Sequence, residues 1–70
     1  MSVRTRFMKG NAVIAAVDQP PVGLEINKFV TINYKVYKVD EISIDVERIN
    51  NDYEKCRILY DVFVSEWSRR

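Results

Sequence analysis

The stretch Phe29-Val30-Thr31-Ile32-Asn33-Tyr34-Lys35-Val36-Tyr37-Lys38-Val39-Asp40-Glu41-Ile42-Ser43-Ile44-Asp45-Val46 decides the fold. Nearly every second or third residue in it is β-branched or aromatic, the composition of a strand that packs one face. It is longer than the roughly 3–10 residues of a usual strand, so the chain must turn or bend inside it. Two places offer this. Asn33 tolerates left-handed backbone geometry, and a three-residue loop over Asn33-Tyr34-Lys35 pairs Ile32 with Val36 and Phe29 with Val39. At Asp40-Glu41 the apolar parity moves from Val39 to Ile42, Ile44 and Val46 without Gly or Pro, as a β-bulge would move it. The turn is therefore expected at Asn33–Lys35 and the bulge at Asp40-Glu41.

Working outward, Asn50-Asn51-Asp52 is a turn signal, and a last strand should run from about Tyr53 to Val64. In it Cys56, Ile58, Tyr60, Val62 and Val64 form one apolar face, while Leu59, Phe63 and Trp67 contribute to the other. Cys56, Leu59, Tyr60, Phe63 and Trp67 also recur at helical spacing, but Ile58 and Val62 fall off that stripe and the run is β-branched and aromatic. Strand is the expected state. Upstream, Val3, Thr5 and Phe7 alternate with Arg4, Arg6 and Met8, and Gly10-Asn11 supplies a tight turn with Gly in its first central position. The expected hairpin joins 3–9 to 12–17 and pairs Phe7 with Ile14 and Thr5 with Ala16. Pro20 and Pro21 keep the segment after Val17 a loop.

The expected fold is all-β: about five antiparallel strands in consecutive hairpins, forming a small barrel or rolled sheet in a single domain over 1–70. With 70 residues, 47% hydrophobic and 30% charged, the chain has a globular balance and room for one small core. A single cysteine argues against a disulfide-stapled secreted domain. The longest apolar run, Ala12 to Val17, is far below the roughly 20 residues of a membrane span. A cytoplasmic (intracellular) setting without membrane contact is expected.

The chemistry available is limited. The chain has no histidine, which removes the commonest general base and metal ligand. Cys56 alternates with core positions and reads as a buried, inert hydrophobe. Gly10 and Gly23 are isolated, so no phosphate-cradling loop is encoded. Glu41, Asp45 and Glu47 share one strand face at about 6.6 Å per two residues, but no apolar residue among them would raise a pKa. They read as a solvated charged row. No enzyme activity, cofactor or metal is expected.

Charge is segregated along the chain. Residues 1–38 carry Arg4, Arg6, Lys9, Lys28, Lys35 and Lys38 against Asp18 and Glu25, an excess of four positive charges. Residues 40–54 carry Asp40, Glu41, Asp45, Glu47, Asp52 and Glu54 against Arg48, an excess of five negative charges. The remaining residues, with Lys55, Arg57, Arg69 and Arg70 against Asp61 and Glu66, bring the total to +1. The expected function is a non-enzymatic protein–protein interaction module: an adaptor, inhibitor or assembly subunit, of the kind found among phage or mobile-element accessory proteins. Leu59, Phe63 and Trp67 are the candidate self-association face of a homodimer, because a small sheet covers only one face of its last strand. The rival cover for that face is the N-terminal hairpin, folded across it with Val3, Phe7 and Ile14. The alternative function is nucleic-acid binding through Lys28, Tyr34, Lys35, Tyr37 and Lys38, with rings stacking on bases and lysines following phosphates.

Overall fold

The computed structural model describes residues 2–67, apart from the side chain of Tyr53. Arg69 and Arg70 lie outside the described residues. Among the described residues five strands form one sheet: β1 (Ser2–Lys9), β2 (Ala12–Val17), β3 (Phe29–Ile32), β4 (Lys35–Ile49) and β5 (Asp52–Glu66). The spatial order is β2-β1-β5-β4-β3. Among the described residues the fold is all-β without helix, a five-stranded sheet curled into a half-barrel, and no helix is long and apolar enough to cross a membrane. Residues 53–67 are strand almost throughout, so the β-branched composition prevails over the helical spacing.

Three of the four pairings are antiparallel, as expected, and the fourth is not. β1 lies parallel to β5, with Val3 opposite Ile58, Thr5 opposite Tyr60 and Phe7 opposite Val62. The N-terminal hairpin therefore sits beside the last strand, edge to edge, and not across its face. This overturns the rival in-chain cover for Leu59, Phe63 and Trp67. Aligned residues of neighbouring strands share a face. Val3, Thr5 and Phe7 thus lie on the Ile58, Tyr60, Val62 side, opposite to Leu59 and Phe63.

Register differs from expectation at two turns. In the first hairpin Lys9 pairs with Ala12 and Met8 with Val13, but Phe7 pairs with Ala15 and Thr5 with Val17, because the register shifts between Phe7 and Met8. Ile14 is the extra residue, and the bulge lets both Ile14 and Ala15 pack against the core. The β3–β4 turn uses two residues, not three. Asn33 (φ 53°) and Tyr34 (φ 68°) both have positive φ, the geometry whose twist matches a two-residue hairpin. Ile32 then pairs with Lys35 and Phe29 with Lys38. That one-residue difference places Phe29 on the outer face and Val30 opposite Tyr37. The bulge at Asp40 is present: the register shifts between Val39 and Glu41. It brings Val39 and Ile42 to the same face, where both meet the core. Asn50 (φ 54°) and Asn51 (φ 59°) turn β4 into β5.

The core is small and sits at one end. Phe7, Tyr37, Val39, Val62 and Val64 are buried, with Ile14, Ala15, Leu24, Val30, Ile32 and Ile42 packed around them. The 18–28 segment connects the two edge strands past this concave side. Thr5, itself buried, donates its hydroxyl to the Gln19 carbonyl at 2.7 Å. Asn27 N–H donates to Val39 O, and Val39 N–H donates to Lys28 O, both at 2.8 Å. β4 and β5 are 15 residues each, about 50 Å at about 3.3 Å per residue, which matches the longest dimension of the molecule, 50 Å. A ribbon of that length runs past the core that anchors it.

Candidate protein-binding surface

The covering strands are too short for the ribbon. β3 pairs with β4 only over Lys35–Lys38. After the backbone bonds to Val39, no strand lies against the outer edge of β4 from Asp40 to Ile49 among the described residues. β1 covers β5 from Phe63 back to Arg57 and goes no further toward the tip among the described residues. The distal part of the ribbon is therefore an arm.

The concave face of the arm continues the core face without the core. Ile44 pairs with Tyr60 and Val46 with Ile58, so these four side chains form one apolar strip next to buried Val62. Ile44 is 59% exposed and Val46 62% exposed, while Ile58 and Tyr60 are half-buried. Cys56, opposite Arg48, is half-buried and not buried as expected, because it too lies beyond the core. The strip went unnoticed in the sequence because face 56–64 reads as core throughout. Its signal was strand length: a last strand this long cannot be covered by an eight-residue partner.

The convex face is charged. Glu41, Asp45 and Glu47 lie in one row, as the alternation required, opposite Phe63, Leu59 and Arg57 of β5. Glu47 pairs with the Arg57 guanidinium. Asp40, Glu41 and Asp45 make no ion pair within 4 Å among the described residues, though the Asp45 charge still reaches Arg6. At the centre of the face Arg6 grips Asp61 with two bonds, Nε to Oδ1 at 2.7 Å and an amino nitrogen to Oδ2 at 2.9 Å. Asp61 is only 8% exposed, and the bond it offers, followed by its charge, raises the Arg6 pKa above its ordinary value.

Leu59, Phe63 and Trp67 do share the convex face, but not as one patch. Asp61 separates Leu59 from Phe63 along β5, and both are half-buried. Trp67 packs edge-on against Phe29, ring centroids 5.2 Å apart, and its backbone N–H donates to Val36 O at 3.2 Å.

The lysine–tyrosine group is dispersed. Tyr34 stands at the β3–β4 turn, 99% exposed. Tyr37 is in the core at 8% exposure, which removes its ring from any surface. Lys38 lies on the opposite face from Tyr37, and Lys28 is exposed in the loop before β3. Lys35 is bonded to Glu66 at 2.7 Å, and Lys9 reaches the same carboxylate oxygen at 3.0 Å. The Lys35 bond, then the Lys9 bond, pulls the Glu66 carboxyl down to about 2. This triad ties β1, β5 and β4 together at the core end.

A groove of about 360 Å³ lies beside the core, lined by Thr5, Phe7, Val17, Leu24, Val30 and the Gln19–Val22 turn. Its walls are mostly apolar, and Thr5 is already bonded to Gln19. Among the described residues no group of three or more His, Cys, Asp or Glu side chains is placed to hold a metal ion. Compared with family models, curated proteins and solved structures, the chain matches none.

Proposed function

We propose that this chain is a non-enzymatic protein-binding module that works through its arm. The observation that carries the reading is the strip Ile44, Val46, Ile58 and Tyr60, continuous with the core face yet left open to water. Isolated exposed apolar residues are ordinary, whereas a contiguous strip next to an unpaired strand edge is a usual feature of an interaction surface. Strand edges add backbone hydrogen bonds to such a contact, and the side chains of alternate residues give it selectivity.

A photo-crosslinking residue at position 46, introduced into the full chain in its native cell, tests this. Val22 is also exposed, so the same residue at position 22 is the control. The expected result is a defined protein product from position 46 that disappears when Ile44→Asp is added. No product from position 46, or the same products from position 22, would overturn the reading.

A further inference from the structure

We infer that the outer edge of β4, from Asp40 to Ile49, receives an added strand from another protein, and that this strand alternates basic with apolar residues. The inference rests on the protein-binding reading and specifies the partner's chemistry. Along this edge the side chains alternate in two rows: Ile42, Ile44 and Val46, followed by Arg48, on the concave side, and Glu41, Ser43, Asp45 and Glu47 on the convex side. A strand hydrogen-bonded there must place its own alternate side chains against those two rows. One row meets apolar surface; the other meets carboxylates, of which Glu41 has no ion partner among the described residues and Asp45 none within 4 Å, its charge reaching Arg6 only from further off.

The fold already contains such an addition on the other side of the ribbon. β1 carries Arg4 and Arg6 between Val3, Thr5 and Phe7, and lies against β5 with Phe7 opposite Val62 on the concave side. On the convex side Arg6 grips Asp61. A basic–apolar strand on β4 would repeat that arrangement at the ribbon's free edge.

A second copy of β4 does not suit this edge. Antiparallel registers centred on Ser43, Ile44, Asp45 and Val46 set Glu41 opposite Asp45, Glu41 opposite Glu47, Asp45 opposite itself, and Asp45 opposite Glu47. Like charges directly opposite one another oppose pairing, and charged edges are a common block on self-association.

The test uses the full chain, isotope-labelled, with a blocked ten-residue peptide alternating Val and Arg as the probe. Controls are the Val–Glu alternating peptide and a peptide with the same Val and Arg content arranged in two blocks. The expected result is amide shift changes and slowed amide exchange confined to 40–49, with the alternating Val–Arg peptide only. Affinity should fall at least tenfold in Glu41→Lys/Asp45→Lys, two exposed positions, with a denaturation curve on the same variant to show that it is folded. Equal binding of the block peptide, protection at β2 or β3 instead, or no binding at millimolar peptide would overturn the inference. So would light scattering showing a dimer whose contact protects 40–49. Loss of peptide binding with the position-46 crosslink intact would remove the basic strand and leave the protein-binding reading standing.

Discussion

Val62→Ala and Ile44→Ala remove methyl groups from the same face of the sheet, one inside the core and one on the arm. Val62 is 0% exposed, and its replacement deletes two carbons, a transfer loss of about 1.6 kcal/mol at about 0.8 kcal/mol per carbon. The cavity left behind adds to this, for a total of roughly 2–3 kcal/mol. Ile44→Ala deletes three carbons, about 2.4 kcal/mol if fully buried. Ile44 is 59% exposed, so only about 1 kcal/mol of that is at stake in the isolated protein. A domain of this size has total stability of roughly 4–10 kcal/mol, so the difference is easily resolved. Thermal unfolding should drop by about 10–20 °C for Val62→Ala and by about 4–8 °C for Ile44→Ala. Urea titration gives the same ordering through the midpoint at constant slope. Equal losses for the two variants, independent of protein concentration, would mean that the arm folds back onto the core in solution and would refute the reasoning. An Ile44→Ala loss that grows with protein concentration would mean that a second copy covers the strip.

Three further outcomes follow from the geometry. Glu66, pulled down to about 2 by Lys35 and Lys9, is depressed in the folded state, so its contribution is complete above the ordinary carboxylate pKa and is lost as pH falls from about 4.5 toward 2. Glu66→Gln should flatten stability over that interval, and an unchanged acid profile in urea titrations would show the triad to be idle. Tyr34 occupies a positive-φ position that a side chain disfavours by about 1–2 kcal/mol, so Tyr34→Gly should raise stability by about 0.5–1 kcal/mol, and a fall in melting temperature would contradict the turn assignment. Asp61→Ala, which leaves Arg6 without its buried partner, should lower the urea midpoint well beyond Glu47→Ala, whose carboxylate is half exposed; equal shifts would place both pairs in the same solvated class.

Most of the fold was legible because it follows from period-two alternation and from turn chemistry that acts over a few residues. Gly10-Asn11, Asn33, the parity change at Asp40 and Asn50-Asn51 each mark a local event, and each is present. Register was less legible. Whether the Asn33 turn holds two residues or three depends on strand twist, and that single residue decides whether Phe29 or Val30 faces the core. The parallel β1–β5 contact was not legible at all, since it joins residues more than fifty positions apart and no local signal specifies it. The candidate surface suffered from the same gap. Alternation identifies an apolar face but not how far a neighbouring strand will cover it, so Ile58 and Tyr60 looked like Val62 and Val64. The lysine–tyrosine group failed for a related reason: Tyr37 and Lys38 are adjacent in sequence and on opposite faces in space.

The arm's width changes along its length, and this bears on how it would bind. From Ile42 to Ile44 the sheet is four strands wide, because β1 and β2 lie beyond β5; from Asp45 to Glu47 it is three wide, and beyond Arg57 it is a two-stranded ribbon. A two-stranded ribbon alone is marginal in water, and three strands with an apolar face are about the least that holds independently. An added strand on β4 would therefore do two things at once. It would satisfy the backbone groups of the free edge, and it would add a strand beside the strip that now faces water, where the sheet narrows from four strands at Ile44 to three at Val46. Part of the binding free energy would go into ordering the distal ribbon, which favours modest affinity and sensitivity to the partner's alternation pattern over tight, sequence-blind adhesion. The acidic row would add a second filter, since it would attract a basic partner from a distance while opposing another copy of the same edge. Placed together on one free strand edge, these features would make an edge that resists self-assembly and remains open to a complementary strand.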